Sequence, residues 1–332
     1  MIEFVLAHTD LARVRFAHSP IRELTLSLRV LHDRNRQYMY SSWLSAVQGR
    51  LGGLHPDLLT ALAPTGQYLP TFLLPPTTEP WGVLADELDT VAATPAATVR
   101  AELEKVCQGR PLPTVLRPLY EDPAAQLRVV VVPALHRYWQ AALEPVGQRL
   151  RAICMADLSY RMEQFAGSGV ARVLGELHPE IALEHDRLRI DKPHHCHHRL
   201  DLAGTGVLLV PCVFSWPTLI VACCKVDQPS LTYPPRGVAE FWAQSRIAQT
   251  DPLCALVGRT RAMLLAMLAL PTTTTQLAAQ LQLSPAAVSQ HLKILTDTAL
   301  VTSRRHGRLV LYQRTTAATA LMEAIESDQA TG

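Results

Sequence analysis

The period of the apolar positions changes several times along the chain. Ile2–Leu6 and Leu11–Phe16 read as two short β-type runs, and His8, Thr9 and Asp10 between them suit a hairpin turn. Ser19 and Pro20 form an N-cap followed by proline at the first helical position. Ile21, Leu24, Leu28 and Leu31 then recur at helical spacing, which predicts a helix with one packed face. Arg34 to Leu51 predicts further helix, ending near Gly52 and Gly53, and prolines 64, 70, 75, 76 and 80 mark an extended loop. Trp81–Asp89 and Thr94–Cys107 read as short helices. Pro123–Ala166 reads as mostly helical, with a mixed face of Leu150, Ile153, Asp157, Leu158, Arg161 and Phe165, and is broken by Gly167, Ser168 and Gly169. After Pro179 the texture turns to strand at Ile181–Leu183, Arg187–Asp191, Gly206–Phe214 and Thr218–Cys224. Pro229, Pro234 and Pro235 are expected to end the sheet region, with one more helix over Gly237–Arg246.

The sharpest pattern lies at the C-terminus. Leu253–Leu270 reads as a helix with Leu256, Val257, Met263, Leu264, Met267 and Leu268 apolar, closed by Pro271. Thr272–Thr275 offer N-caps for a short helix, Gln276–Leu281. Ser284 then caps a third helix with Pro285 at its first position. Its buried stripe is Val288, Leu292 and Leu295, which leaves Ser289, Gln290 and Lys293 on the open face. Glutamine can read adenine bidentately, serine can bond a base or phosphate, and lysine suits guanine or phosphate. Leu300–Arg305 and Leu309–Gln313 form two strands around His306, Gly307 and Arg308, a hairpin with a basic tip. Helix, helix, recognition helix and basic wing is the winged helix-turn-helix order, in which the third helix enters the major groove and the wing rides the backbone. The candidate DNA-contacting residues are Ser284, Ala287, Ser289, Gln290, His291, Lys293, Arg304, Arg305, Arg308 and Tyr312.

Composition supports that assignment. With 332 residues, 48% of them apolar and a net charge of only +2, the chain can bury a real core and is not disordered. The small net charge hides an asymmetry. Between Pro252 and Thr316 stand Arg259, Arg261, Lys293, Arg304, Arg305, Arg308 and Arg314 against the single acid Asp297, so a basic module adjoins a mildly acidic body. That argues for phosphate contacts rather than a winged helix used only against protein. The expected organisation is α+β: a mixed helical and β-rich, sensor-like N-terminal domain over 1–250, then a winged helix-turn-helix over 251–332. Apolar runs such as Val129–Leu135 and Val207–Phe214 are too short to span a membrane. Met1–Asp10 lacks the basic start of a signal peptide, so a cytoplasmic chain is expected.

The run from Ser284 to Leu295, followed by Leu300-Val301 and Arg304-Arg305-x-Gly307-Arg308, resembles the ArsR/SmtB repressors. The resemblance implies a homodimer on an inverted-repeat DNA operator, with residues 253–270 and 317–325 at the dimer interface. It departs from the family at the metal sites. Thr272–Ala279 holds no thiolate or imidazole where the metal box would stand, and Ala317–Ile325 holds no histidine. The N-terminal part is similar to long actinobacterial regulators in Arg13–Pro20, in Gly206–Pro211 and in Phe214-x-Trp216-Pro217, with a winged helix at the end. That likeness implies a transcription regulator without a defined ligand.

The cysteines, seven and scattered, read as small buried hydrophobes rather than as a disulfide framework. The one unusual run is His194, His195, Cys196, His197 and His198. As a strand it would face His-Cys-His one way and His-His the other, which could begin a zinc or other transition-metal site, or ligate haem. A solvated hairpin is the plainer alternative. Trp43, Trp81, Trp139, Trp216, Trp242 and several tyrosines either line a ligand cavity or fill the core. No nucleophile elbow, P-loop or dinucleotide fingerprint is present, so no enzyme is expected. The leading expectation is a repressor whose operator binding answers to a small-molecule effector in the N-terminal domain, without a cofactor. The alternative is a metal- or haem-responsive repressor sensing through His194–His198.

Overall fold

The computed structural model describes residues 1–33, 38–52, 54–65, 68–77, 79–191, 198–223, 228–244, 252–268, 271–281, 283–306 and 309–329. The fold mixes helix and sheet, as the α+β reading expects, with eleven strands among the described residues. They are β1 (Ile2–Val5), β2 (Arg15–Phe16), β3 (Ile181–Glu184), β4 (Arg187–Ile190), β5 (His198–Asp201), β6 (Leu208–Pro211), β7 (Ile220–Ala222), β8 (Ser230–Tyr233), β9 (Thr272–Thr273), β10 (Val301–His306) and β11 (Leu309–Arg314). One sheet has the order β3-β4-β1-β5, a second β2-β6-β8-β7, and the third, β10-β11-β9, belongs to the C-terminal region. The helices used below are α1 (His8–Ala12), α2 (Pro20–Val30), α3 (Ser41–Val47), α4 (Leu84–Ala92), α5 (Gly147–Ser168), α6 (Val238–Gln244), α7 (Pro252–Val257), α8 (Arg259–Met267), α9 (Thr274–Leu281), α10 (Pro285–Asp297) and α11 (Thr316–Gln329).

The expected hairpin at His8–Asp10 is instead the short helix α1, and the two flanking strands enter different sheets. Asp10 decides this locally. Its buried carboxylate accepts from Ala7 N at 2.7 Å, capping the first turn, and from Gly206 N at 2.9 Å. The chain thus turns helically beside a glycine nearly two hundred residues away. Gly206 has φ of +72°, and a Cβ there would stand 2.4 Å from the Arg13 carbonyl oxygen. Gly206→Ala is therefore expected to cost about 3 kcal/mol or more, since left-handed strain and a backbone clash add. A denaturant midpoint shifted by less than about 1 kcal/mol would show that β2 and β6 separate freely here.

Helix α2 is buried almost all round, not along one stripe. The apolar period was legible, but its polar residues are also interior and hydrogen-bonded, with Arg22 Nε left without a partner among the described residues. Arg22 donates to Thr232 Oγ1 at 2.5 Å and to Ser230 Oγ at 3.0 Å, Thr25 donates to Leu73 O at 3.0 Å, and Ser27 Oγ meets Tyr138 OH at 2.9 Å. The cap also differs from expectation. Ser19 Oγ donates to Glu87 of α4 at 2.6 Å, and Glu87 itself accepts from Ile21 N at 2.8 Å. A carboxylate from another helix caps α2 because it brings charge to the positive helix end.

Other boundaries shift for local reasons. The helix expected over Arg34–Leu51 is α3 followed by a 3-10 turn at Gln48–Arg50, with 34–37 outside the described residues. Strand β8 sits between Pro229 and Pro234, where the prolines suggested an end to the sheet; they flank the buried strand instead of interrupting it. Phe165, expected on the packed face of α5, is 43% exposed. The helix expected over Leu253–Leu270 divides into α7 and α8 at Gly258, whose φ is +82°.

One apolar cluster fills the space between sheets β3-β4-β1-β5 and β2-β6-β8-β7, with Phe4, Leu188, Ile190, Leu209 and Leu231 at its centre. A second runs from the N-terminal helices into the C-terminal region, joining Leu24, Tyr40, Trp43, Phe214 and Trp242 to Leu264, Leu277, Val288 and Leu292. Most of the conspicuous aromatics are thus core. The Tyr40 ring stacks on Phe214 at 5.3 Å and meets Trp242 edge-on at 5.0 Å.

Candidate nucleic-acid interface

The recognition helix α10 begins as its sequence dictates. Ser284 Oγ accepts from Ala287 N at 3.2 Å, and Pro285 occupies the first turn. Val288, Leu292 and Leu295 are buried. Ser289, Gln290 and Lys293 lie on the exposed face, with Ser284 exposed at the cap and Ala287 half-buried. His291 is half-buried, and its Nδ1 is sealed from solvent with no hydrogen-bond partner among the described residues. It belongs to the edge between core and open face rather than to the face itself.

The wing is the antiparallel pair β10 and β11, with Arg304 opposite Leu311, Arg305 opposite Val310 and Ser303 opposite Tyr312. Arg304 and Arg305 are exposed, and as neighbours on a strand they point to opposite faces of the wing. Tyr312 is half-buried against the core, and Arg308 lies outside the described residues. Strand β9 pairs with β11 through Thr272 and Thr273, which anchors the base of the wing beside the start of α9. Sequence reasoning treated Thr272–Thr275 only as cap candidates; Thr273 does both jobs, its Oγ1 accepting from Gln276 N at 3.3 Å.

Counting charges overstated the free basic surface. Arg314 donates to Leu265 O at 3.5 Å and Arg261 to Val257 O, so both guanidinium groups are tied to helix ends. Lys293, Arg304 and Arg305 are the basic residues among the candidates that the structure leaves exposed on helix and wing.

Comparison with known proteins agrees with this geometry. Residues 259–304 match a family described as "Helix-turn-helix domain". The C-terminal segment thus carries a helix-turn-helix domain, as its order of helices predicts. It makes the chain a DNA-binding protein of the regulator kind. Residues 97–239, upstream of the helix-turn-helix domain, match a family described as "Family of unknown function (DUF5937)". Among solved structures, a mutant of ZitR from Lactococcus lactis is 32% identical over 22% of this chain and 52% of that one, with a TM-score of 0.20. Another ZitR mutant, in apo form, is 27% identical over 24% of this chain and 64% of that one, with a TM-score of 0.21. The chain thus spans about half to two thirds of the length of these ZitR chains. No curated protein matches.

Upstream of the helix-turn-helix domain, Leu28, Leu31, Leu44, Leu59 and Tyr138 line a cavity of about 260 Å³, with His32 and Thr60 at its rim. Thr60 Oγ1 and His32 Nε2 are 2.7 Å apart, and burial lowers the pKa of His32. Apolar walls with a small polar pair are the usual build of a small-molecule pocket, here at the small end of the size range. Leu44 belongs to α3, which continues directly from the Tyr38–Tyr40 turn; that turn lies against α8. Helix α6 lies against α9, the first helix of the turn. The residues that line this cavity were not legible in the sequence, because they come from separate short helices.

His194, His195, Cys196 and His197 lie outside the described residues, while His198 is exposed at the first position of β5, paired with Ile2. Among the described residues no helix is long and apolar enough to cross a membrane.

Proposed function

We propose that this chain is a one-component transcription repressor, not an enzyme, that binds an inverted-repeat operator as a homodimer and is released by a small, mostly apolar effector. The observation that carries the reading is the capped helix α10 presenting Ser289, Gln290 and Lys293 beside a wing bearing Arg304 and Arg305. Gln290 is assigned to base reading, and Lys293 and the wing arginines to phosphate. A single recognition helix reads too short a site for tight binding, hence the dimer. Its surface is assigned to α7 and α11, which lie against each other, with Leu256 of α7 65% exposed.

The effector is assigned to the cavity. The route to DNA is short: α3 forms part of the wall, and the Tyr38–Tyr40 turn ahead of it lies on α8. An effector that favours one seating of α8 shifts the spacing of the two recognition helices. A tenfold loss of operator affinity requires only about 1.4 kcal/mol of differential binding.

An environment-sensitive naphthalene dye tests the cavity, and fluorescence anisotropy on duplex DNA tests the interface. The dye is expected to bind the wild-type chain. Leu44→Trp, which fills the cavity, is expected to abolish dye binding and to leave DNA affinity within about threefold, or 0.7 kcal/mol. Dye binding that survives Leu44→Trp would remove the cavity from the mechanism. DNA affinity that does not fall with salt would remove the interface.

A further inference from the structure

Four chemistry-bearing side chains from three distant parts of the chain meet in the interior of the N-terminal region, and none of them lines the cavity. His18 precedes α2, Glu23 lies on its first turn, Cys154 is on α5 and Cys212 follows β6. All four are buried, with His18 at 6% and Glu23 at 1% exposure. A ring nitrogen of His18, a carboxylate oxygen of Glu23 and Sγ of Cys154 lie within 4.8 Å of one another. Cys212 Sγ stands 3.0 Å from Glu23 Oε2, and Cys154 Sγ 3.5 Å from Oε1.

The carboxylate is held from behind. Val213 N donates to Glu23 Oε1 at 2.8 Å and Phe214 N to Oε2 at 3.1 Å. Each oxygen therefore has one lone pair fixed by backbone, and the other turned toward a sulfur. His18 Nε2 is sealed from solvent with no hydrogen-bond partner among the described residues. A buried imidazole nitrogen left unpaired costs free energy that proteins rarely leave unrecovered. Burial, with Arg151 nearby, lowers His18 to about 4, so its ring is neutral and its lone pair is available. Burial also raises the Glu23 carboxyl and pushes both thiols well above their usual range. Each of these groups is costly as it stands, and one buried cation would satisfy all of them.

We propose that His18, Glu23 and Cys154, with Cys212 as the fourth ligand, form a tetrahedral site for a divalent, borderline-soft metal ion, zinc first. Nitrogen, oxygen and sulfur donors together are a set that zinc accepts. Tetrahedral bonds of about 2.0–2.3 Å place ligand atoms about 3.3–3.8 Å apart, so His18, Glu23 and Cys154 close by about an ångström around the ion, and Cys212 turns its Sγ onto it from Glu23 Oε2. On binding, Cys154 and Cys212 give their S–H protons to solvent as metal–sulfur bonds form, Glu23 gives up any it carries, and nothing is oxidised or reduced. Zinc with two thiolates and one carboxylate has a net charge of −1, which Arg22 beside Cys212 and Arg151 beside His18 face. The backbone donors from Val213 and Phe214 orient the carboxylate, as outer partners do in metal sites. The ligands join α2, α5 and the end of β6, so the ion would pin the interior of the N-terminal region, a role separate from DNA contact.

The test is expression in cobalt-supplemented minimal medium of the full chain carrying serine at His194, His195, Cys196, His197 and His198, so that the histidine run supplies no ligand. The folded chain is expected to hold one cobalt(II), with thiolate-to-metal charge-transfer bands in the near ultraviolet and the intense visible bands of a tetrahedral centre. Cys154→Ser and His18→Gln, each in that background, are expected to lose that signature, whereas Cys107→Ser retains it. A folded background chain with substoichiometric cobalt overturns the proposal, and so does a signature unchanged by Cys154→Ser and His18→Gln. If those variants fail to fold, the background chain still decides: cobalt without thiolate bands, or a melting temperature unmoved when zinc is removed by chelator and restored, overturns the site.

Discussion

Replacing Gln290 and Lys293 together with alanine is expected to weaken binding to the preferred operator by about 2–4 kcal/mol, roughly 30- to 1,000-fold. Both side chains are exposed on α10, whereas the residues that hold the helix, Val288, Leu292 and Leu295, are buried, so the fold should survive. The two losses should differ in kind. Gln290→Ala alone should relax the preference at one base pair by about 1–3 kcal/mol and leave the salt dependence unchanged. Lys293→Ala alone should weaken all sequences alike and lower the salt slope by about one unit. Anisotropy titrations on matched and mismatched duplexes at several salt concentrations separate these outcomes. If both single variants lost affinity uniformly, Gln290 would be a backbone contact and base reading would lie elsewhere on the helix.

Trp242→Ala is expected to cost about 3–5 kcal/mol, as large-to-small changes of buried aromatics do. Trp242 is 3% exposed and lies among Tyr40, Phe214 and Phe241, with ring centroids 5.0, 5.3 and 4.8 Å away. It belongs to α6, the helix set against α9. The loss should therefore appear at the junction between the N-terminal region and the helix-turn-helix domain. In denaturant, a single cooperative transition in wild type is expected to broaden or split in the variant, with the DNA-binding part melting separately. Loss of stability below about 1 kcal/mol, or a transition that stays as steep, would show that the aromatic cluster does not couple the two parts.

The C-terminal order of helices and wing was legible because its signals are local. A Ser-Pro start, a stripe at 288, 292 and 295, and two short strands around a basic tip need no distant partner to be read. The N-terminal region was less legible because its decisive contacts are remote. Asp10 turns α1 through Gly206, Glu87 caps α2 in place of Ser19, and β1 pairs with β4 and β5 across most of the chain. Polar residues on α2 looked like a solvent face at helical period, yet they are interior because Ser230, Thr232 and Tyr138 approach them from other elements. The scattered cysteines read as small hydrophobes, and only the fold brings Cys154 and Cys212 to Glu23. The charge count likewise included Arg261 and Arg314 in the basic module, although backbone carbonyls of Val257 and Leu265 hold their guanidinium groups.

The most direct test of the regulator reading is selection of duplexes from a random-sequence library by the purified full chain, followed by sequencing of the bound pool. The expected result is a single enriched motif made of two inverted half-sites about one helical turn apart, centre to centre. That enrichment should vanish when Gln290 and Lys293 are both alanine. A bound pool indistinguishable from the input, or the same motif recovered with the double variant, would contradict operator recognition through α10.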